Sequence, residues 1–258
     1  MTSTKPILEL KNVTTIVNAH TPAAKAILKQ LNLKIYPGDF ITVLGPNGAG
    51  KSTFFNSIAG TLPVDSGQVL LQGKDITRLS VEKRAKFISR VFQDPKMGTA
   101  PRMTVAENLL LATKRGKARG LKLRGLKAKL ATLQAQVSSM NNGLAERMQT
   151  ATESLSGGQR QALSFLMATI ERPDLLLLDE HTAALDPKTS AQLMQQTNER
   201  ILQEKLTCLM ITHHLDDALR YGNRLLVLDA GKIVFDVRDE QKQQLTKQKL
   251  LEFFGNIE

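Results

Sequence analysis

The sequence is poor in the features that mark secreted and membrane-spanning chains. Its single cysteine, Cys208, cannot form an internal disulfide, which fits a reducing compartment. Cys208 lies in an apolar stretch, so the expectation is a packed core thiol and not a reactive one. No apolar run approaches the ~18 residues needed to cross a bilayer. The first residues, Met1-Thr2-Ser3-Thr4-Lys5-Pro6, carry no apolar signal region. A soluble, cytoplasmic chain is therefore expected. No Cys/His cluster has metal-ligand spacing, and no tandem repeat or Pro- or Ser-rich linker interrupts the chain. Its 258 residues suit one large domain, or one domain with a subdomain.

Acidic residues are missing from one long stretch, Asn108 to Ala145. Lys114, Arg115, Lys117, Arg119, Lys122, Arg124, Lys127 and Lys129 all fall inside it, and they account for most of the net charge of +11. Such a run fits contact with acidic lipid headgroups or partner loops, and equally a solvated face.

What is present begins with a loop, Gly45-Pro46-Asn47-Gly48-Ala49-Gly50-Lys51-Ser52-Thr53. The apolar run Phe40 to Leu44 before it reads as a strand, and Thr53 to Ala59 after it reads as the start of a helix. A strand, a glycine-rich turn ending in Gly-Lys-Ser and a helix form the phosphate-cradling P-loop. Glycines let backbone N–H groups converge on phosphate oxygens, and the helix adds its positive dipole end. Lys51 is expected to reach the β- and γ-phosphates of a nucleotide, and the Ser52 hydroxyl to ligate Mg²⁺.

Around the loop, strands and helices alternate. Strands are expected over 7–13, where it reads as an edge strand, and over 27–35, 68–71, 87–92, 174–179, 207–211, 225–228 and 233–235. Helices are expected from Ser80, over 104–140 with breaks at Gly116, Gly120 and Gly125, and over 156–171, 187–205 and 215–221. Thr104 with Glu107 has the spacing of a capping box. The segment 240–254 reads as an exposed helix or tail. Alternation of this kind implies a mainly parallel sheet flanked by helices, interrupted by a helical insertion.

Two further stretches carry chemistry. Leu175 to Leu178 is a fully apolar strand ending in Asp179 and Glu180, the form of a Walker B element. Asp179 would hold Mg²⁺ through a water, and Glu180 would orient or deprotonate an attacking water. Leu155-Ser156-Gly157-Gly158-Gln159 places serine and two glycines at a helix start, an N-terminal anion site.

The order Gly45–Ser52, Gln93, Leu155–Gln159, Leu175–Glu180, Ala184-Leu185-Asp186 and Thr212-His213 resembles the ATP-binding cassette (ABC) family from about Ile7 to Phe235. The resemblance implies an α/β P-loop NTPase cassette: a mainly parallel core sheet, an antiparallel β edge and an inserted helical subdomain. It divides the chain into a core of 1–93 and 159–258 and a helical subdomain of 94–158. It implies ATP and Mg²⁺ as cofactors, with Ser52, Gln93 and Asp179 at the metal. Glu180 is the implied base, positioned by His213, and Gln93 touches metal and water. Cassettes pair head to tail, so the P-loop of one copy faces Ser156, Gly157, Gly158 and Gln159 of a second copy, with Asp186 at the interface. The family's adenine-stacking aromatic is absent: Val17 stands in its expected place, with His20 close by. A lone cassette with an intact Gln93 loop is similar to importer ATPase subunits. The subgroup it resembles works with permease subunits and, indirectly, an amino-acid-type solute-binding protein, from the cytoplasmic face of the membrane. No nucleic acid is expected, although the basic balance keeps a soluble cassette acting on nucleic acid or ribosome as the alternative, together with export.

Overall fold

A computed structural model describes residues 5–19, 21–117, 125–138 and 143–255. The chain divides into two compact units, 1–84 with 205–258, and 85–204.

The first unit opens with an antiparallel sheet. Strand β1 spans Leu8–Val17 and β2 spans Lys25–Ile35. Strand β3, Phe40–Leu44, is buried along its whole length. Helix α1, Lys51–Ala59, buries Phe54, Phe55 and Ile58. Strands β4, Ser66–Leu71, and β5, Lys74–Asp75, precede the single turn of α2, Val81–Arg84. The antiparallel sheet runs β2-β1-β4-β5. The expected edge position of the first strand is thus corrected: β1 has partners on both sides, with Leu10 opposite Leu33 on β2 and Val69 on β4.

Arg84 ties this part together. Only 2% exposed, it donates to the carbonyls of Ser57 at 2.7 Å and Ile58 at 2.8 Å, in the last turn of α1. It also donates to the carbonyls of Thr77 (2.8 Å) and Leu79 (3.1 Å). Helix-terminal carbonyls lack intrahelical partners, and a cation there also meets the negative end of the dipole. Burial lowers the Arg84 pKa and the charge of Asp75 opposes that; arginine stays charged regardless.

The second unit carries β6, Ile88–Val91. Helix α3, Val105–Ala112, starts with the expected capping box: the Thr104 hydroxyl accepts from the Glu107 N–H, and the Glu107 carboxylate accepts from the Thr104 N–H. Fully buried Asn108 donates to the carbonyls of Ala100, Met103 and Thr104 and to the Thr152 hydroxyl, so one side chain knits the loop before α3 to the segment just ahead of Ser156. Helix α4 spans Leu126–Ser138, α5 spans Gly157–Thr169, β7 spans Leu175–Asp179 and α6 spans Pro187–Gln203. β6 and β7 pair in parallel, with Arg90 opposite Leu177.

The first unit resumes with β8, Cys208–Ile211, α7, Leu215–Arg220, β9, Arg224–Asp229, and β10, Lys232–Arg238. β3 is parallel to β8 and to β9, and β10 closes antiparallel on β9. Cys208 is buried and its thiol pKa is pushed up by burial, as a core thiol requires. The chain continues with α8, Asp239–Gln243, and α9, Lys247–Gly255. Here the expectation of an exposed tail is overturned. Leu250 is 1% exposed and joins a cluster with Leu44, Ala218, Leu225 and Val227, while the Phe253 ring lies 4.9 Å from that of Phe235. The apolar stripe of α9 has a core face to cover, which periodicity alone does not reveal.

Arg84→Ala is expected to lower unfolding free energy by about 3 kcal/mol, because buried carbonyls lose their donor. A urea midpoint indistinguishable from wild type would remove Arg84 as the tie between α1 and α2.

Candidate active site

In the first unit the chain leaves β3 and bends at Gly45. A Cβ there would sit 2.1 Å from the Leu228 carbonyl oxygen, so only glycine permits this close passage. The loop is braced further by the β9–β10 turn, where the Gly231 N–H donates to the Ala49 carbonyl at 3.0 Å. Within the loop the Ala49 N–H donates to Pro46 at 3.2 Å. Gly50, in left-handed conformation, starts α1 without a side chain to cap it, and no acidic residue occupies the first turn. The amide end of the helix therefore faces the loop uncapped by carboxylate, as an anion site needs. Lys51, 7% exposed, lies over the loop and donates from Nζ to the carbonyls of Gly45 at 2.7 Å and Pro46 at 2.9 Å. Asn47, Gly48 and Ser52 are exposed, and Thr53 is half-buried. Residues Gly45 to Thr53 thus form one cradle. His213 belongs to the same unit. It is exposed just past β8, after the Thr212 N–H has bonded the Val43 carbonyl of β3. His214 follows as the first cap position of α7.

The second unit brings together the rest. Parallel pairing places Arg90, Leu177 and Asp179 on one face of β6 and β7, because side chains alternate along a strand. Arg90 Nη2 donates to Asp179 Oδ2 at 2.5 Å, with both side chains mostly buried. The guanidinium carbon also lies 4.8 Å from the centroid of the Phe92 ring. Arg90 is the residue that sequence reasoning missed. The available signal was a cation within the otherwise small and apolar run Ile88-Ser89-Arg90-Val91. Glu180 follows Asp179 in left-handed conformation, φ 47°, which is uncommon for a residue with a side chain and stores local strain. Gln93 is exposed beyond β6, and the chain just before it is fixed by Gln161 of α5, whose Nε2 donates to the Phe92 carbonyl at 2.9 Å.

The helix start expected at Ser156 forms. Ser156 caps α5, with its Oγ accepting from the Gln159 N–H at 3.2 Å and Gln159 Oε1 accepting from the Ser156 N–H at 3.3 Å. Gly158 has no room for a side chain: a Cβ would lie 2.4 Å from Thr189 Cγ2 of α6. Asp186 in turn caps α6, accepting from the Thr189 N–H at 3.1 Å. The Thr189 side-chain and backbone donors hold its pKa below the ordinary value. Gln93, Leu155, Gly157 and Leu185 share the lining of a cleft of about 280 Å³ with Arg160 and His181. His181 is 2% exposed, with Nε2 3.3 Å from Thr197 Oγ1, and burial lowers its pKa to about 4. It is a core histidine, neutral at pH 7.

The candidate metal donors are an exposed Ser52 hydroxyl on the first turn of α1, the Asp179 carboxylate and the exposed Gln93. All offer hard oxygen atoms, the donor class Mg²⁺ takes. Val17 is half-buried at the end of β1, and His20 lies outside the described residues. Of the basic run, Arg119, Lys122 and Arg124 also lie outside them. Arg115 turns inward, donating to the carbonyls of Ala168 (2.9 Å) and Glu171 (2.6 Å) at the end of α5, and Lys117 pairs with Glu171 at 3.0 Å. Part of the cationic stretch therefore serves a helix C-terminus.

Known proteins resemble this arrangement. Residues 28–183 match the family described as ABC transporter. A tyrosine transport ATP-binding protein of Clostridioides difficile (strain R20291) is 42% identical over 248 residues, covering 96% of this chain and 98% of that one. A spermidine/putrescine import ATP-binding protein, PotA, of Haemophilus influenzae (strain 86-028NP) is 34% identical over 232 residues, covering 90% of this chain but 58% of the relative. Among solved structures, the cassette MJ0796 in a dimeric post-hydrolysis state bound to ADP and Pi superposes with TM-score 0.76 at 26% identity, covering 90% of this chain and 98% of that one. MJ1267, an ATP-binding cassette of an ABC transporter, gives TM-score 0.76 at 28% identity over 97% of this chain and 99% of that one.

The buried His181 makes a signed prediction. Its pKa is about 4 folded against 6.5 as a free side chain, so the unfolded chain binds the extra proton and stability falls as pH drops below 6.5. Between pH 7.5 and 5, wild type should lose about 2 kcal/mol more than His181→Gln in urea unfolding. Equal losses would show that His181 protonates freely in the folded chain.

Proposed function

We infer the function from one premise: this chain belongs to the ABC transporter family. It is an ATP-binding, ATP-hydrolysing cassette. We propose that it energises solute import through separate membrane permease subunits, as a head-to-tail dimer peripheral to the cytoplasmic face of the membrane. The identity to a tyrosine transport ATP-binding protein along nearly the whole chain supports an amino acid as solute class. Among the described residues no helix is long and apolar enough to cross a membrane, so the solute path needs other subunits. We place the division between core and inserted helical subdomain at 94–158, the stretch that contains α3 and α4.

The observation that carries the reading is the exposed start of α5. Ser156 and Gly157 stand at a helix N-terminus whose cap is complete, in a chain that also holds a braced P-loop. One chain thus presents two different phosphate-binding helix ends, and two copies supply both to each ATP. The P-loop N–H groups and Lys51 take the β- and γ-phosphates. Ser52, Gln93 and Asp179 would hold Mg²⁺, which when bound neutralises phosphate charge. Glu180 accepts a proton from the water that attacks the γ-phosphorus, as the bond to the ADP oxygen breaks. His213 positions Glu180, and its imidazole can donate and accept at once. Asp186 lies at the dimer interface and keeps its charge there through its cap bonds. Adenine meets an apolar surface at Val17, and the phosphates carry most of the affinity.

Glu180→Gln is expected to bind ATP, accumulate an ATP-dependent dimer on size exclusion and lose at least about 100-fold in phosphate release. Hydrolysis close to wild type would exclude Glu180 as the base. Lys51→Ala should lose nucleotide affinity in calorimetry, and unchanged binding would count against the P-loop reading.

A further inference from the structure

Asp179 has a cation partner of the chain's own, Arg90. Arg90 comes from two positions back along the neighbouring strand, on the face shared with Leu177. The contact is 2.5 Å from Nη2 to Oδ2, and the two side chains are 12% and 15% exposed. The Phe92 ring, just past the end of β6, lies under the guanidinium, 4.8 Å from its carbon to the ring centroid. Arg90 is therefore sandwiched between a ring and a carboxylate, in a place where a charge is costly unless it is paired.

We propose that Arg90 is a positioning residue that shares the Asp179 carboxylate with Mg²⁺ and answers part of its charge when the metal is away. The inference rests on the reading of Asp179 as a metal ligand. Its consequence is electrostatic. A lone carboxylate at a mostly buried strand end would attract a divalent cation strongly. With Arg90 on Oδ2, part of that charge is already answered, and Oδ1 remains for the water of a bound metal. Arg90 thus holds the carboxylate in a fixed rotamer and weakens its pull on Mg²⁺. The metal comes and goes with the nucleotide, and the empty protein does not keep it. The pair also removes the repulsion that an unanswered Asp179 would exert on the phosphates of a nucleotide arriving without metal.

The test is binding, not turnover. Calorimetry with a non-hydrolysable ATP analogue gives the affinity in Mg²⁺ and in EDTA, and their ratio measures how much the metal contributes. R90Q should raise that ratio roughly fivefold to tenfold, mainly through weaker binding in EDTA and tighter binding in Mg²⁺. R90K, which keeps the charge, should stay close to wild type. The nucleotide-free thermal midpoint should fall in R90Q and recover in R90Q/D179N, where neither charge remains. R90M retains the contact with Phe92 and serves if R90Q does not fold. An unchanged or smaller ratio in R90Q and R90M would overturn the proposal. D179N separates the two levels. If D179N leaves the ratio at its wild-type value, the metal-ligand reading of Asp179 fails. If D179N collapses the ratio while R90Q does not raise it, only the role of Arg90 fails.

Discussion

The bend at Gly45 is the constraint on which the nucleotide cradle depends. Leu228 of β9 brings its carbonyl oxygen to a point where any Cβ would collide. The loop can therefore pass between the end of β3 and the start of α1 only as glycine. The same neighbourhood supplies the Gly231 bond to Ala49, so the turn between β9 and β10 acts as a backstop. A cradle braced from behind by distant backbone has fewer conformations to lose on binding. Rigidity matters because ordering a floppy glycine loop on binding would consume much of the phosphate interaction energy. Lys51, lying across the carbonyls of Gly45 and Pro46, completes that preorganised state.

A second theme is arginine used internally. Arg84 closes the end of α1, Arg115 closes the end of α5, and Arg160 donates twice to the Thr152 carbonyl just ahead of the α5 cap. Arg224, 4% exposed, pairs with Asp236 and donates to the Lys34 carbonyl. The guanidinium suits these places because its planar fork satisfies several carbonyls from one buried cation. The net charge of +11 is thus not all surface charge awaiting a polyanion, since several cations are consumed by helix ends and strand junctions. Arg90 follows the same pattern with a carboxylate as partner, and there the pattern touches the chemistry.

Much of the site was legible because its signals are local. Gly45 to Thr53, Leu155 to Gln159 and Leu175 to Glu180 each encode a turn, a cap or a strand end within a few residues. The capping boxes at Thr104–Glu107 and Ser156–Gln159 show the same: an i to i+3 bond is written in the sequence and needs no distant partner. The expectation of Asp186 at an interface rested on resemblance alone, whereas its bond to Thr189 is local and explains why it stands at the start of α6. The C-terminal segment was misread because an amphipathic helix looks the same from sequence whether its stripe meets water or Leu44 and Val227.

The sequence by itself determined the fold class, the nucleotide-binding family and the local form of the glycine loop, the helix cap at Ser156 and the strand end at Asp179, because those depend on short spacings and on glycine where backbone must approach. Only the tertiary structure decided that β1 lies inside its sheet, that α9 closes a core cluster, and that Arg90 faces Asp179. Arg90 and Asp179 are 89 positions apart, and their meeting follows from the register of two parallel strands. Register is fixed by burial of both strands against their neighbours, a property of the assembled core and not of any stretch of chain.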